Sequence, residues 1–454
     1  MRTPVFVLAL VLGALVRLAA LSLPGTEDIG SWKVWAYAAS DRVTSVYGIG
    51  GTPPTHGSVS WGAHRTTVDY PPAAVYELGA VGYAYRFGAR DFPDTTLLVV
   101  LLKVPGLLCG IALTALFYRI TAQRTGRRHL AQWAALACWL NPALILNAEA
   151  LGNLDPWMML PAILALLLLH GGAFFAAGAL AALAVLTKPY GALMLPALLV
   201  AAASFRGMNG VMRVVFGGAA AGLALVLPFA LTGALPNMWL AFRDFFARRD
   251  GLSADAPNLW LVANWALQFR RLIPAAGVRA AQRVPRILTF ARLRELGLLN
   301  PRGITTALAA LVTLGGCWQA RRSTSLALHA ALGAFTVQTF FVLMLAMHDH
   351  HAVLAVPLLA LAAALRPTFR PLFYSVSALV ALDLNLFHGI GRGTEWAIPP
   401  TITGIDMAVV LAVANVILLI WFAAKLGDEA ALERQQGQYT TYEVRRTQVG
   451  KVSS

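Results

Sequence analysis

Twelve apolar runs succeed one another along this chain, near residues 5–23, 96–118, 131–148, 156–170, 173–187, 190–204, 211–233, 303–319, 325–346, 351–365, 371–388 and 403–424. A run of about 20 apolar residues is long enough to cross a bilayer as a helix. Inside hydrocarbon each backbone N–H and C=O must be satisfied within the protein, so a chain made of such runs is confined to a helical bundle. Several runs hold only about 15 residues, so the expected number of crossings is about 12, within a range of about 10 to 14. Of the 454 residues 58% are hydrophobic and 13% charged, where a soluble domain carries about 25% charged residues. The sequence therefore predicts an all-α polytopic membrane protein. Cys109, Cys138 and Cys317 each lie inside an apolar run, which gives neither a zinc spacing nor a disulfide framework.

Charge sets the expected orientation. The formal net charge is +15, but much of the excess sits in the short connections 119–128, 206–213, 319–322 and 366–370. Short basic loops stay in the cytoplasm, so the excess reads as topology and not as nucleic-acid binding. Both termini then lie inside, and the loop 24–95 lies outside. The run 5–23 follows Met1-Arg2 as a signal peptide would, but Thr26 to Asp28 make a poor cleavage site, so a retained anchor is expected. An odd number of crossings between 72 and 118 keeps the arginines of 119–128 inside, which makes 72–88 a half-immersed or interfacial helix at the outer face. The remaining units are a basic outer loop at 234–302, a C-terminal bundle at 303–424 and a cytoplasmic tail at 425–454.

With this orientation, nearly every polar residue that is costly near a membrane gathers on the outer face. Glu27 and Asp28 follow the first run, and ionisable groups beside a bilayer are functional candidates, though a solvated helix cap is the plain alternative. Trp32, Trp35, Ala36 and Ala39 recur at helical spacing, so 30–40 reads as an interfacial helix. Asp69 and Tyr70 precede tandem prolines, which start helices well. The same face receives Asn147 to Pro156, Thr187 to Tyr190 and Met347 to His351. Lys188 lies in a largely apolar stretch and either binds an anion or snorkels to the surface. The loop 234–302 carries eleven arginines against four acidic residues, which suits anionic lipid headgroups or an anionic substrate. His348, Asp349, His350 and His351 admit a divalent metal, but neighbours on a helix diverge by about 100°, so no ligand set is assigned.

The order of these pieces resembles the GT-C superfamily, the polytopic glycosyltransferases that use lipid-phosphate sugars, and its bacterial mannosyl- or glucosyltransferase-like members in particular. The likeness rests on the acid after the first run, the aromatic helix and the Tyr70-Pro71-Pro72 turn. It continues through Lys103-Val104-Pro105, Asn141-Pro142, Gly152 to Asp155, Lys188-Pro189, and His348-Asp349 with Pro357. It covers residues 1 to about 205 and 347–357, so that 1–233 is similar to the family's transmembrane module. The chain departs from the pattern at Cys109 and Gly110, where an acid is usual, and at His350 and His351.

The resemblance implies transfer of a hexose from a polyprenyl-phosphate sugar to a glycan, lipid or protein acceptor at the outer face. Asp28, with Glu27 as the neighbouring alternative, would be the general base. Lys103, Lys188, Asp69, Tyr70, Asp155, His348 and Asp349 would bind donor or acceptor. Neither a Gly-rich phosphate loop nor a dinucleotide fingerprint occurs, in keeping with a lipid donor. Two other classes share parts of this layout. A transporter or flippase would keep its charges near the bilayer midplane in internal repeats. A polysaccharide polymerase or ligase would present a large basic outer loop without the acid after the first run.

Overall fold

The computed structural model describes residues 3–48, 57–247, 251–269, 287–295, 297, 301–391 and 396–452. Seven of the loop arginines counted above, at 248, 249, 270, 271, 279, 283 and 286, lie outside this set. The protein is all-α: 78% is helical with almost no sheet. Among the described residues seven helical segments are long and apolar enough to cross a membrane, namely Thr3–Leu21, Thr96–Thr125, Pro189–Leu231, Arg302–Ala320, Leu326–Leu343, Pro367–His388 and Met407–Gln436. Three shorter apolar segments, Asp155–His170, Phe174–Thr187 and Asp349–Leu365, pack among them.

Two stretches of the chain are broken within or between apolar runs. The helix Leu195–Leu231 is broken at Arg206 and Gly207, where Gly207 has φ +55°, so the runs 190–204 and 211–233 are separate arms. The run 131–148 is not one helix. Arg128–Trp139 ends before Asn141, whose side chain accepts from the backbone of Ala143 and Leu144 and starts the short helix Pro142–Ile145. Pro142 brings no N–H to continue the earlier turn, and a wide π turn follows at Leu146–Ala150. The freed carbonyls are used. Arg17, 1% exposed, donates from Nε to Trp139 O at 3.0 Å and from Nη2 to Cys138 O at 3.3 Å, and it pairs with buried Glu149.

Two large clusters make up most of the core, with two smaller ones beside them. Leu326–Leu343 is apolar on every side and enclosed by other helices, as such a helix must be. A second cluster lies under the first outer loop, where Ile29, Trp32, Val34, Trp35 and Ala36 on the helix Asp28–Arg42 pack with Tyr47, Leu78 and Phe229. The tryptophan face expected at a membrane interface is thus turned onto protein, against the helix Pro72–Gly88. This loop also holds a hairpin that hydropathy does not announce. Ser58–Trp61 and His64–Thr67 pair antiparallel, Ser58 opposite Thr67 and Trp61 opposite His64. Gly62, at φ +58°, occupies the two-residue turn, where a positive φ is needed.

Candidate functional site

The turn after the first helix is fixed by backbone bonding. Thr26 N donates to Leu151 O at 2.9 Å, which ties the acidic loop to the Gly152 turn 120-odd residues later in sequence. Beneath them, Lys103 is 1% exposed and its Nζ donates to Leu23 O at 2.6 Å and to Ala150 O at 2.9 Å. Gly152 (φ +75°) cannot be larger, because a Cβ there would stand 2.5 Å from Ile29 Cδ1 and 3.0 Å from Lys103 Cε. Lys103 is therefore a brace between two site loops and does not face the cavity.

That cavity measures about 1000 Å³ and opens between the first outer loop and the loops at 189–193, 344–351 and 387–391. Glu27 and Asp28 stand on one wall, both exposed. Glu27 occupies the N-cap position of the helix Asp28–Arg42 without capping it through its side chain. Asp28 sits in the first turn, where a negative charge meets the positive end of the helix dipole. Among the described residues neither carboxylate has an ion-pair partner.

Next to them is an aromatic wall. The Trp32 ring lies 4.9 Å from Trp35 and 5.0 Å from Tyr70, edge to face. Tyr47 donates to the backbone carbonyl of Tyr70 at 2.5 Å, which holds the Asp69–Pro72 turn in place. Burial, then the charges of Asp28, Asp155 and Asp69, push the Tyr70 hydroxyl well above the ordinary phenol range, so it stays protonated and can donate.

Across the cavity, Lys188 and Asp155 form an ion pair at 2.7 Å, each side chain 3% exposed. Asp155 starts the helix Asp155–His170, and Lys188 ends Phe174–Thr187 just before Pro189. Lys188 lines the cavity, while Asp155 lies behind it. The third wall carries Asp349, 1% exposed, between two imidazoles. Oδ1 is 3.5 Å from His350 Nδ1 and Oδ2 is 3.2 Å from His388 Nε2. The backbone N–H of His348 donates to His351 Nδ1 at 3.1 Å. His351 stacks on Tyr190 at 3.7 Å between centroids. Asp255 arrives from the loop 251–258, which is joined to this wall by Ala254 N to Met347 O at 3.1 Å. Burial and the nearby Asp349 raise the Asp255 carboxyl. Arg302, Thr305 and Thr306, from the first turn of Arg302–Ala320, complete the rim.

Seven of the nine residues predicted from sequence thus line one cavity: Glu27, Asp28, Asp69, Tyr70, Lys188, His348 and Asp349. Asp155 reaches it through Lys188, and Lys103 supports it from behind. Sequence reasoning missed His388, and it counted Asp255 and Arg302 only among the charges of the loop 234–302 without singling them out. His388 had a local signal, since it closes a helix just before Gly389, but nothing in the sequence pairs it with Asp349. No three of the His, Cys, Asp and Glu side chains among the described residues converge as a metal ligand set, and Asp349 is already engaged by two imidazoles. Scans against protein-family models and curated proteins give no match to this chain.

Proposed function

We propose that this protein is a GT-C-type membrane glycosyltransferase with about 12 crossings, which moves a hexose of mannose or glucose type from a polyprenyl-phosphate sugar to an acceptor hydroxyl at the outer face. Its site would face away from the cytoplasm, with both termini inside. The observation that carries this reading is the pair of carboxylates, Glu27 and Asp28, without an ion-pair partner among the described residues and standing in a cavity of about 1000 Å³ that is also lined by Lys188 and Arg302. A carboxylate free of ion pairs can act as a base, and cations across from it suit an anionic leaving group.

In this mechanism Asp28 takes the proton of the acceptor hydroxyl while the hydroxyl oxygen bonds to the anomeric carbon of the sugar. The bond from that carbon to the phosphate oxygen breaks, and its electrons stay on the polyprenyl phosphate. Lys188 has three N–H donors, of which Asp155 occupies one, so the ammonium keeps donors for phosphate oxygens. Tyr70, half-buried on the cavity wall, offers an apolar ring with a hydroxyl for a sugar, and buried Trp32 and Trp35 hold that ring in place. An apolar groove of about 590 Å³ runs between Pro72–Gly88, Thr96–Thr125, Asp155–His170 and Phe174–Thr187. Glu77 on its wall is bonded by Thr187, the residue before Lys188, at 3.1 Å, so a prenyl chain lying there would bring its phosphate towards the lysine.

The test is incubation of the purified protein with a panel of radiolabelled polyprenyl-phosphate sugars. Transfer to an added acceptor, or donor hydrolysis in its absence, is the expected result. If no donor in the panel is consumed while labelled substrate is carried across the bilayer of reconstituted vesicles, the transporter reading replaces this one.

A further inference from the structure

The two imidazoles at Asp349 are not equivalent. The His350 side chain is 13% exposed and that of His388 is 32% exposed, and both line the cavity. Nε2 of His388 is turned to Asp349, which leaves Nδ1 with no partner among the described residues. The ring stands at the C-terminal end of Arg370–His388, where a helix favours a positive charge. The turn that follows is stacked on the acidic loop: a methyl group at Gly391 would sit 3.4 Å from Pro24 Cγ and 3.5 Å from Gly25 N. This seats the turn after His388 against the start of the acidic loop, and His388 and Asp28 line the same cavity. The charges acting on the ring are accordingly those of Asp349, Asp255 and Asp28. On its own helix Asp383 faces elsewhere, towards Asn415 at 3.2 Å.

A buried carboxylate behind an imidazole, with the other ring nitrogen left to the cavity, is the arrangement that orients a histidine for proton transfer. An ordinary imidazole also holds a proton at about pH 5–6, where an ordinary carboxylate has lost it. We propose that His388, oriented by Asp349, is a proton relay for the transfer reaction: Nδ1 accepts from Asp28 the proton that Asp28 removes from the acceptor hydroxyl, and then releases it to water. The step balances, since Asp28 is returned as a carboxylate, the imidazolium is deprotonated by water, and the phosphate keeps the electrons of the broken sugar bond. Asp349 acts through His388 and is a positioning residue. The proposal rests on the glycosyltransferase reading and adds a residue to it.

The relay requires His388 to be neutral before each turnover, so activity falls on the acid side through the imidazole range. The experiment follows turnover at saturating donor against pH for the full-length protein and for His388→Gln, Asp349→Asn and Asp255→Asn. His388→Gln is expected to lower turnover roughly 10- to 100-fold, as loss of a general acid–base group does, and to abolish the limb in the imidazole range, leaving only the fall at lower pH where the carboxylate base itself is protonated, with donor KM within about twofold. Asp349→Asn and Asp255→Asn each remove a negative charge that favours the imidazolium, so their acid limbs move to lower pH. Asp255→Asn keeps the test intact if Asp349→Asn fails to fold. An unchanged rate in His388→Gln, or a lowered rate with the imidazole-range limb still present, overturns the relay. Absence of transfer in the wild-type protein overturns the glycosyltransferase reading instead, so the two failures are distinct.

Discussion

At the scale of single residues, the site is defined by which charges are already spent. Asp155, Glu149 and Asp349 are buried against cations or imidazoles, whereas Asp28 and Glu27 are exposed and have no ion-pair partner among the described residues. Asp28→Asn is expected to abolish transfer with no loss of folded protein in detergent, because an exposed carboxylate contributes little to stability; turnover near wild type would shift the role to Glu27, tested by Glu27→Gln. Lys188 is a less clean target. Lys188→Gln leaves Asp155 buried without its cation, a change that costs about 3–5 kcal/mol where buried pairs are broken. Thermal unfolding should show this cost, and turnover at saturating donor should drop with it. Lys188→Arg keeps the charge and should retain partial activity with near-normal unfolding. If Lys188→Gln raises only the donor KM, the lysine docks the donor without stabilising the departing phosphate.

At the scale of elements, much was legible because it is local. Apolar runs, the Tyr70-Pro71-Pro72 start of the helix Pro72–Gly88, and the aromatic face of Asp28–Arg42 are written within windows of a few turns. The break at Asn141-Pro142 was in plain view too, but hydropathy alone runs straight across it and merges the pieces into 131–148. The hairpin 58–67 escaped because its strands are four residues each and half polar, too short for alternation to stand out. What could not be read at all is the meeting of distant elements: His388 with Asp349, Lys188 with Asp155, and Lys103 with two carbonyls on different loops. Lys103 also changes role on this account, from a substrate contact to a brace. Lys103→Met should lower the unfolding temperature, consistent with loss of two charged-donor bonds at about 1.5–3 kcal/mol each. Exchange protection of the amides at Thr26 and Asn153, which bond to Leu151 O and Asn147 O, measured by hydrogen–deuterium exchange, should fall together. Loss of protection at only one of the two loops would show that the lysine does not couple them.

At the scale of the whole molecule, orientation is the quantity to test. Gly62, at the tip of the hairpin with open space around it, should accept a labelled cysteine from outside. Thr125, next to the basic turn, and positions after Lys425 should label only from the cytoplasmic side. Labelling of position 125 from outside would make Pro72–Gly88 a full crossing and reverse the bundle that follows it. The Arg17–Glu149 pair bears on how such a bundle is made. The ribosome delivers the first helix with Arg17 long before Glu149 has been synthesised, and an arginine within a membrane helix disfavours insertion by about 2.5–3.5 kcal/mol near its centre. Until the Asn141-Pro142 break arrives, the guanidinium has neither its carboxylate nor the carbonyls of Cys138 and Trp139. The newborn helix must therefore wait near the headgroups or beside the insertion machinery, and its final depth is decided by a later part of the same chain. A nascent chain halted before residue 149 should expose Arg17 to water-borne reagents, and one extended past it should not.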